Sequence, residues 1–404
     1  MTSVPRQSPS MQRHSQSPTD PSFVQDPYPF YASARLGGDL GWWEQYGMVA
    51  AFSHAAVSSL LKDRRFGREV PPEMAVTPPP HLAPFYAVED HSLLEAEPPR
   101  HTRLRGLVLR AFTSRAIAAL APAIESLCHE LIDAFPTRPF DLLPAYCTEV
   151  PVRTIARLLG VPESMTPELL GWSHAMVAMY QANRTRATEE AAARAAAEFS
   201  AALRDYIAHR RARPGEDLIT ALIAAEEAGD KLSSDELVAT CILLLNAGHE
   251  ATVHSLGNGL KILLEQRDDI ADLLAPQTVA GTVEEILRYD PPLHMFTRYA
   301  YEDVAVFGHQ FRRGDQVALL LGAANRDPAV WPEPDRFDPR RPVSTNTSFG
   351  GGLHFCVGAP LARLEMQIAL PALIARCPGL KLAEPPRYSD SYHFHGLTAL
   401  RVTT

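Results

Sequence analysis

Ten residues near the C-terminus, Phe349-Gly350-Gly351-Gly352-Leu353-His354-Phe355-Cys356-Val357-Gly358, constrain this chain more than any other stretch. Three consecutive glycines permit positive φ and close backbone approach that a Cβ resists. Ala359-Pro360-Leu361-Ala362-Arg363-Leu364-Glu365 then reads as a helix start, so Cys356 falls where backbone N–H groups and a positive helix dipole favour the thiolate. A thiolate ligates metal. Two other readings stay open on the loop alone. One is a simply buried cysteine beside a glycine turn. The other is zinc through His354 and Cys356, for which no second Cys/His pair stands at ligand spacing.

The chain of 404 residues is long enough for two average domains, and its 46% hydrophobic and 21% charged content describes an ordinary globular protein with a large core. A net charge of −9 argues against nucleic acid as a bulk partner. Cys128, Cys147, Cys241, Cys356 and Cys377 form no CxxC and no even-numbered framework, which fits reduced thiols in the cytoplasm. Residues 1–21, rich in Ser, Pro and Gln, read as a disordered tail, and residues 22–404 as one folded domain. No stretch approaches the roughly 20 apolar residues a spanning helix needs, so no membrane is expected.

Trp42 to Val49 reads as a short strand. Arg68 to Pro99 carries eight prolines and reads as a functional loop or lid. Thr102 to Ala225 reads as helices, with Ala187–Arg211 ended by Pro214-Gly215. Ser234–Leu264 is a long apolar helix capped by Ser233 or Ser234, and Met295–Leu321 carries strands broken at Gly308 and Gly314. Pro371 should kink or shorten the helix after the cysteine loop. The outline is mainly α with small β-sheets.

The cysteine loop resembles the haem-binding loop of the cytochrome P450 family and matches Phe-Gly-x-Gly-x-His-x-Cys-x-Gly at every fixed position. The resemblance implies haem b, with Cys356 as the axial iron ligand, Phe349 and Gly358 as further cofactor-binding residues of the loop, and a single-domain cytochrome P450 fold. Glu285-Ile286-Leu287-Arg288 resembles the family's Glu-x-x-Arg helix, and Pro334-Asp335-Arg336-Phe337 its Pro-x-Arg-Phe segment. By that resemblance Glu285, Arg288 and Arg336 form a buried ion network, whose use is specifying geometry rather than adding stability. His101 and Arg105, in His101-Thr102-Arg103-Leu104-Arg105, match the helix that reaches the haem propionates; Arg298 and His354 match two further contacts.

Asn246-Ala247-Gly248-His249-Glu250-Ala251-Thr252 resembles the family's distal-helix signature, with Glu250 as its acid. The alcohol position holds Ala251, and Thr252 lies about 100° further around the helix. In the family that alcohol guides protons during oxygen activation, so water or a substrate hydroxyl is expected to serve instead, the alternative being an oxygen-splitting step that leaks peroxide. Glu250, Ala251 and Thr252 are the catalytic candidates. The Gly248-His249-Glu250 step suggests a helix kink beside a cofactor.

The resemblance implies a monooxygenase that inserts one atom of O2 into a small organic substrate. No Rossmann fingerprint, flavin domain or iron–sulfur cysteine set is present, so electrons come from outside, by analogy from ferredoxin and ferredoxin reductase. Arg103, Arg110 and Arg363 are the expected docking patch, and the protein is expected to be a monomer. Leu245, Asn246, Ala247, Leu293, Met295, Phe296 and Phe394 are the substrate candidates, with Met295 and Phe296 as an apolar wall. A peroxide-driven oxygenase, an oxidative coupling or rearrangement enzyme, and a haem carrier or sensor remain as alternatives.

Overall fold

The computed structural model describes residues 11–181, 184–227, 232–266, 269–342 and 345–404. They fall into two compact units, each gathered from separate stretches: Met1–Val76, Pro276–Cys356 and Pro386–Thr398 in the first, Thr77–Ala275, Val357–Pro385 and Ala399–Thr404 in the second. Residues 1–10 of the expected tail lie outside the described residues.

The first unit is built on a six-stranded mixed sheet in the order Arg13–His14, Leu40–Trp43, Met48–Ala51, Gln316–Leu320, Met295–Ala300, Phe66–Gly67. Residues 11–21 are therefore structured rather than a tail. Arg13–His14 pairs in parallel with Trp42–Trp43, and the His14 ring packs edge-on to Phe52 at 5.1 Å. Asp20 then caps helix Pro21–Gln25 by accepting from the N–H groups of Ser22 and Phe23. A polar, proline-rich composition is offset here by ladder bonds and one buried ring. The single strand expected over Trp42–Val49 is instead a hairpin of two, because Gly47 at φ +61° turns the chain between them.

One sheet face holds an aromatic core of Phe23, Tyr31, Trp43, Phe52 and Tyr392; the other holds Leu40, Val57, Leu60, Phe66, Phe311 and Leu319. Side chains alternate across a strand, so neighbouring residues feed opposite cores. Gly308 (φ +74°) and Gly314 (φ +91°) break the Met295–Leu321 region at turns as expected.

The second unit is helical. Helix Ser234–Gln266 packs on Glu149–Leu159, helix Ala359–Arg376 on Ala121–Asp133, and Arg186–Ala212 on Thr166–Val177 and Ala83–Glu89. A three-stranded antiparallel sheet joins Lys381–Leu382, Arg401–Thr403 and Phe140–Asp141. The long helix opens on a reciprocal cap: Ser233 Oγ accepts from the Glu236 N–H at 3.2 Å, and the Glu236 carboxylate accepts from the Ser233 N–H at 2.9 Å.

One expectation fails and another is narrowed. The proline-rich stretch is not structureless: it holds turns at Pro72–Met74 and Pro80–Leu82 and the helix Ala83–Glu89. Proline is tolerated in a first helical turn, whose N–H groups lack intrahelical partners anyway. Helix Ala359–Arg376 runs through Pro371 to its end, so that proline does not shorten it. Among the described residues, no single helix is long and apolar enough to cross a membrane.

Candidate functional site

In the first unit the cysteine loop is closed by its own backbone. The Cys356 N–H donates to the Phe349 carbonyl at 3.0 Å, Gly350 N–H to Thr347 at 2.8 Å, and Phe355 N–H to Gly352 at 3.2 Å. Gly350 and Gly352 sit at φ +69° and +64°, which glycine adopts without strain. A Cβ on Gly352 would lie 2.5 Å from the Leu61 carbonyl oxygen, so glycine is needed for space as well as for φ. The loop presents Cys356 exposed, while Cys128, Cys147, Cys241 and Cys377 are buried. Burial pushes the Cys128 thiol up to about 11 and that of Cys241 to about 12, holding both as inert thiols. An accessible cysteine on a rigid backbone cradle fits an axial thiolate ligand.

The scaffold behind the loop starts at helix Val279–Tyr289. Arg288 donates to both oxygens of Glu285, at 2.7 and 2.8 Å, with both side chains buried. Its remaining N–H groups reach the carbonyls of Asn325 and Pro334 at 2.9 Å and Arg336 at 3.3 Å. Asn325 accepts from the N–H and hydroxyl of Thr347 at 2.8 and 2.9 Å and donates to Ser348 at 2.8 Å. Ser348 in turn donates to the Leu287 carbonyl at 2.7 Å. A continuous polar chain thus leads from Glu285 to the first turn of the cysteine loop.

Arg336 is not the third cation of that network. Its guanidinium is exposed and pairs with Glu333 at 3.1 Å and Asp338 at 3.6 Å, and only its carbonyl is used. Arg341 takes the place, donating to Glu285 at 3.2 Å and to the carbonyls of Glu333 and Arg336 at 2.7 and 2.9 Å. Between Pro332 and Pro342 the chain is irregular, so no periodicity could tell which arginine turns inward.

Arg298, on strand Met295–Ala300, is buried and donates to the Thr297 carbonyl at 2.8 Å, while His354 ends the turn Gly352–His354 and is half-buried. Met295 and Phe296 cannot form one wall, because adjacent strand residues point to opposite faces. Met295 enters the aromatic core, whereas Phe296 lies under the loop, 3.2 Å from where a Gly350 Cβ would stand. Leu293 and Phe394 are joined by a backbone bridge and stay half-buried.

In the second unit, His101 (buried) and Arg105 (half-buried) lie one turn apart on helix Arg100–Ala111 and share a face. Arg103, expected in a docking patch, is committed elsewhere. It holds Glu236 with two bonds, at 2.5 and 3.1 Å, reinforcing the cap of the long helix. Arg110 is exposed and Arg363 half-buried.

Helix Ser234–Gln266 is unbroken at Gly248. The glycine answers to packing: a Cβ there would sit 2.8 Å from Ile155 Cγ1. Glu250 and Thr252 are buried, as is Leu245; Asn246 and Ala251 are half-buried and Ala247 is exposed. The Asn246 amide nitrogen points to Met176 Sδ at 3.8 Å. The Ala251 carbonyl accepts from Ser255 Oγ at 2.8 Å. Burial alone would push the Glu250 carboxyl up, but His249, His174 and His254 around it leave it below its usual value. His174 was missed in the sequence because it comes from helix Thr166–Val177, far away in the chain.

A further buried cluster was missed in the first unit. Asp290 accepts from Tyr28 at 2.6 Å and Tyr388 at 2.5 Å and lies 3.3 Å from His395. Only Asp290-Pro291-Pro292, ending a helix, was there to hint at it.

The family model described as Cytochrome P450 matches residues 268–385. The chain is 38% identical over 375 residues to "Cytochrome P450 monooxygenase PikC" of Streptomyces venezuelae, covering 90% of this chain and 87% of that one. It is 34% identical over 386 residues to "Biotin biosynthesis cytochrome P450" of Bacillus subtilis, covering 94% and 97%. The crystal structure of P450BioI in complex with hexadec-9Z-enoic acid ligated acyl carrier protein superposes with a TM-score of 0.89 at 34% identity, covering 95% of this chain and 99% of that one.

Proposed function

This chain belongs to the cytochrome P450 family, and we propose that Cys356 is the axial ligand through which it holds haem b. It is a haem-thiolate monooxygenase of the bacterial type, using O2, a small organic substrate and external redox partners. Bound haem with a thiolate ligand supplies the O–O cleavage and oxygen-insertion chemistry. The observation that carries the ligand assignment is the exposed Cys356 on a backbone-closed loop, beside four buried cysteines.

The protein's own contributions follow from its residues. The network from Glu285 through Arg288 and Asn325 to Thr347 and Ser348 fixes the loop, so the thiolate stays in one position. His101, Arg105, Arg298 and His354 are the proposed partners of the two propionates; guanidinium and imidazolium groups suit carboxylates by charge-assisted bonds. Glu250 is the proposed acid of proton delivery, with its carboxyl ionised and held among histidines. Ala251 offers no hydroxyl, so a water or a substrate hydroxyl completes the proton path. Leu293 and Phe394 are the proposed apolar substrate contacts, joined by Asn246 and Ala247.

The names of similar proteins, which refer to biotin biosynthesis, an acyl-carrier-bound fatty acid and a polyketide pathway, support a fatty-acyl or polyketide substrate here. Electrons are proposed to come from a ferredoxin and its reductase, docking on Arg110 and Arg363, with the enzyme a cytoplasmic monomer. Four unpaired buried thiols suit that compartment. The test is the reduced, CO-bound spectrum of the purified protein and of Cys356→Ser, followed by turnover with ferredoxin, reductase and O2 against a panel of fatty acyl and polyketide compounds. A wild-type spectrum without the thiolate Soret signature, or an unaltered one in Cys356→Ser, rejects the assignment. Product formation from peroxide alone, with none from reductant and O2, would reject the partner-driven reaction.

A further inference from the structure

Histidines from two helices converge on one oxygen of Glu250. Its Oε1 lies 3.2 Å from Nε2 of His174 and 3.5 Å from Nε2 of His249. These three atoms all fall within 4.8 Å of one another. His249 is 2% exposed, and its Nδ1 lies 2.8 Å from the Leu245 carbonyl. A carbonyl only accepts, so the proton sits on Nδ1 and Nε2 is the ring atom left to face Glu250. That Nε2 has no hydrogen-bond partner among the described residues, and neither does Glu250 Oε1.

With no proton on Nε2, two buried acceptors face each other and repel unless a positive charge lies between them. A proton on His249 Nε2 would make only a long ion pair, since 3.5 Å exceeds a good hydrogen bond. A metal ion satisfies both atoms at once. Zinc binds imidazole nitrogen and carboxylate oxygen at about 2.0–2.2 Å in tetrahedral geometry, which puts ligand atoms roughly 3.3–3.5 Å apart. The observed 3.2 and 3.5 Å from Oε1 are close to two edges of such a tetrahedron. The bond from His249 Nδ1 to a backbone carbonyl is also the support that metal-binding histidines ordinarily have. His174, with a side chain 59% exposed, opens the cluster to solvent and gives an ion a way in.

We propose that His174, His249 and Glu250 form a binding site for Zn2+ or a similar borderline divalent ion, with the fourth position taken by water. An ion there occupies the carboxylate that proton delivery requires, so zinc acts as a reversible brake on turnover. That consequence, unlike the site itself, rests on the role proposed above for Glu250.

The site is tested on the haem-loaded enzyme, stripped with chelator and dialysed against zinc sulfate, with bound metal measured per chain. Wild type is expected to take up one zinc, and the affinity to fall roughly tenfold or more in His174→Ala and in His249→Gln. His174 is exposed enough that its variant keeps the fold, which circular dichroism and the CO-bound spectrum check. Zinc-edge absorption is expected to show two nitrogen ligands and one carboxylate. No stoichiometric zinc in wild type, or equal uptake by wild type and both variants, overturns the site. Zinc bound by these ligands with turnover unchanged overturns the brake and, with it, the role of Glu250.

Discussion

The Arg341 guanidinium donates to Oε1 of Glu285 at 3.2 Å, while Arg336, the arginine of the matched motif, turns outward to Glu333. Glu285 thereby accepts from two guanidiniums and from the Asp338 N–H at 2.8 Å, saturating a carboxylate that is 4% exposed. A buried carboxylate so surrounded is expensive to disturb from any side.

Arg341→Ala is therefore expected to cost about 3 kcal/mol and much of the haem occupancy. Arg336→Ala, at an exposed pair, should stay within about 0.5 kcal/mol of wild type. Urea midpoints and the CO-bound spectrum compare them directly. The reverse order would return the network to Arg336.

Gly352 and Gly47 share nearly the same φ, +64° and +61°, but not the same surroundings. Gly47 has nothing within 4 Å of a built Cβ, so Gly47→Ala should cost only the left-handed penalty of about 1–2 kcal/mol. Gly352→Ala drives a methyl into the backbone of Leu61 and Lys62 and should abolish most of the thiolate Soret signal. Similar spectra from both variants would mean that crowding does not hold the loop.

Ala251→Thr restores the missing hydroxyl on the distal helix. With water or substrate completing the proton path, the fraction of reductant recovered in product is expected to stay unchanged. Product and peroxide yields per electron pair measure it. A clear rise in coupling would show that the hydroxyl had been limiting.

Glu365 lies fully buried in helix Ala359–Arg376, and burial holds its carboxyl protonated far above the usual range, with Thr154 opposing only weakly. In the unfolded chain it ionises near about 4.3. Above that value the native state binds the extra proton, so stability falls as pH rises. Glu365→Gln removes that slope. Its stability relative to wild type should improve steadily above about pH 5 and show no trend below about pH 4, as read from urea unfolding across pH. A pH-independent difference would mean that Glu365 is ionised in the fold.

Local chemistry made some features legible in the sequence. The glycine-cysteine loop, the helix ends at Ser233 and Pro214-Gly215 and the Glu285–Arg288 pair depend on residues a few positions apart, where spacing alone fixes who meets whom. Family membership followed from those short motifs.

What only the tertiary structure decided is where irregular or distant chain meets. Arg341 won over Arg336 because a loop without a period chose its inward residue by packing. Met295 and Phe296 parted to opposite cores through the pleat of a strand whose register is set by Gln316–Leu320. His174 reached Glu250 from another helix, and Gly248 proved to make room for Ile155. Sequence encodes such contacts only through the packed whole, since each rests on volume and hydrogen-bond satisfaction among segments far apart in the chain.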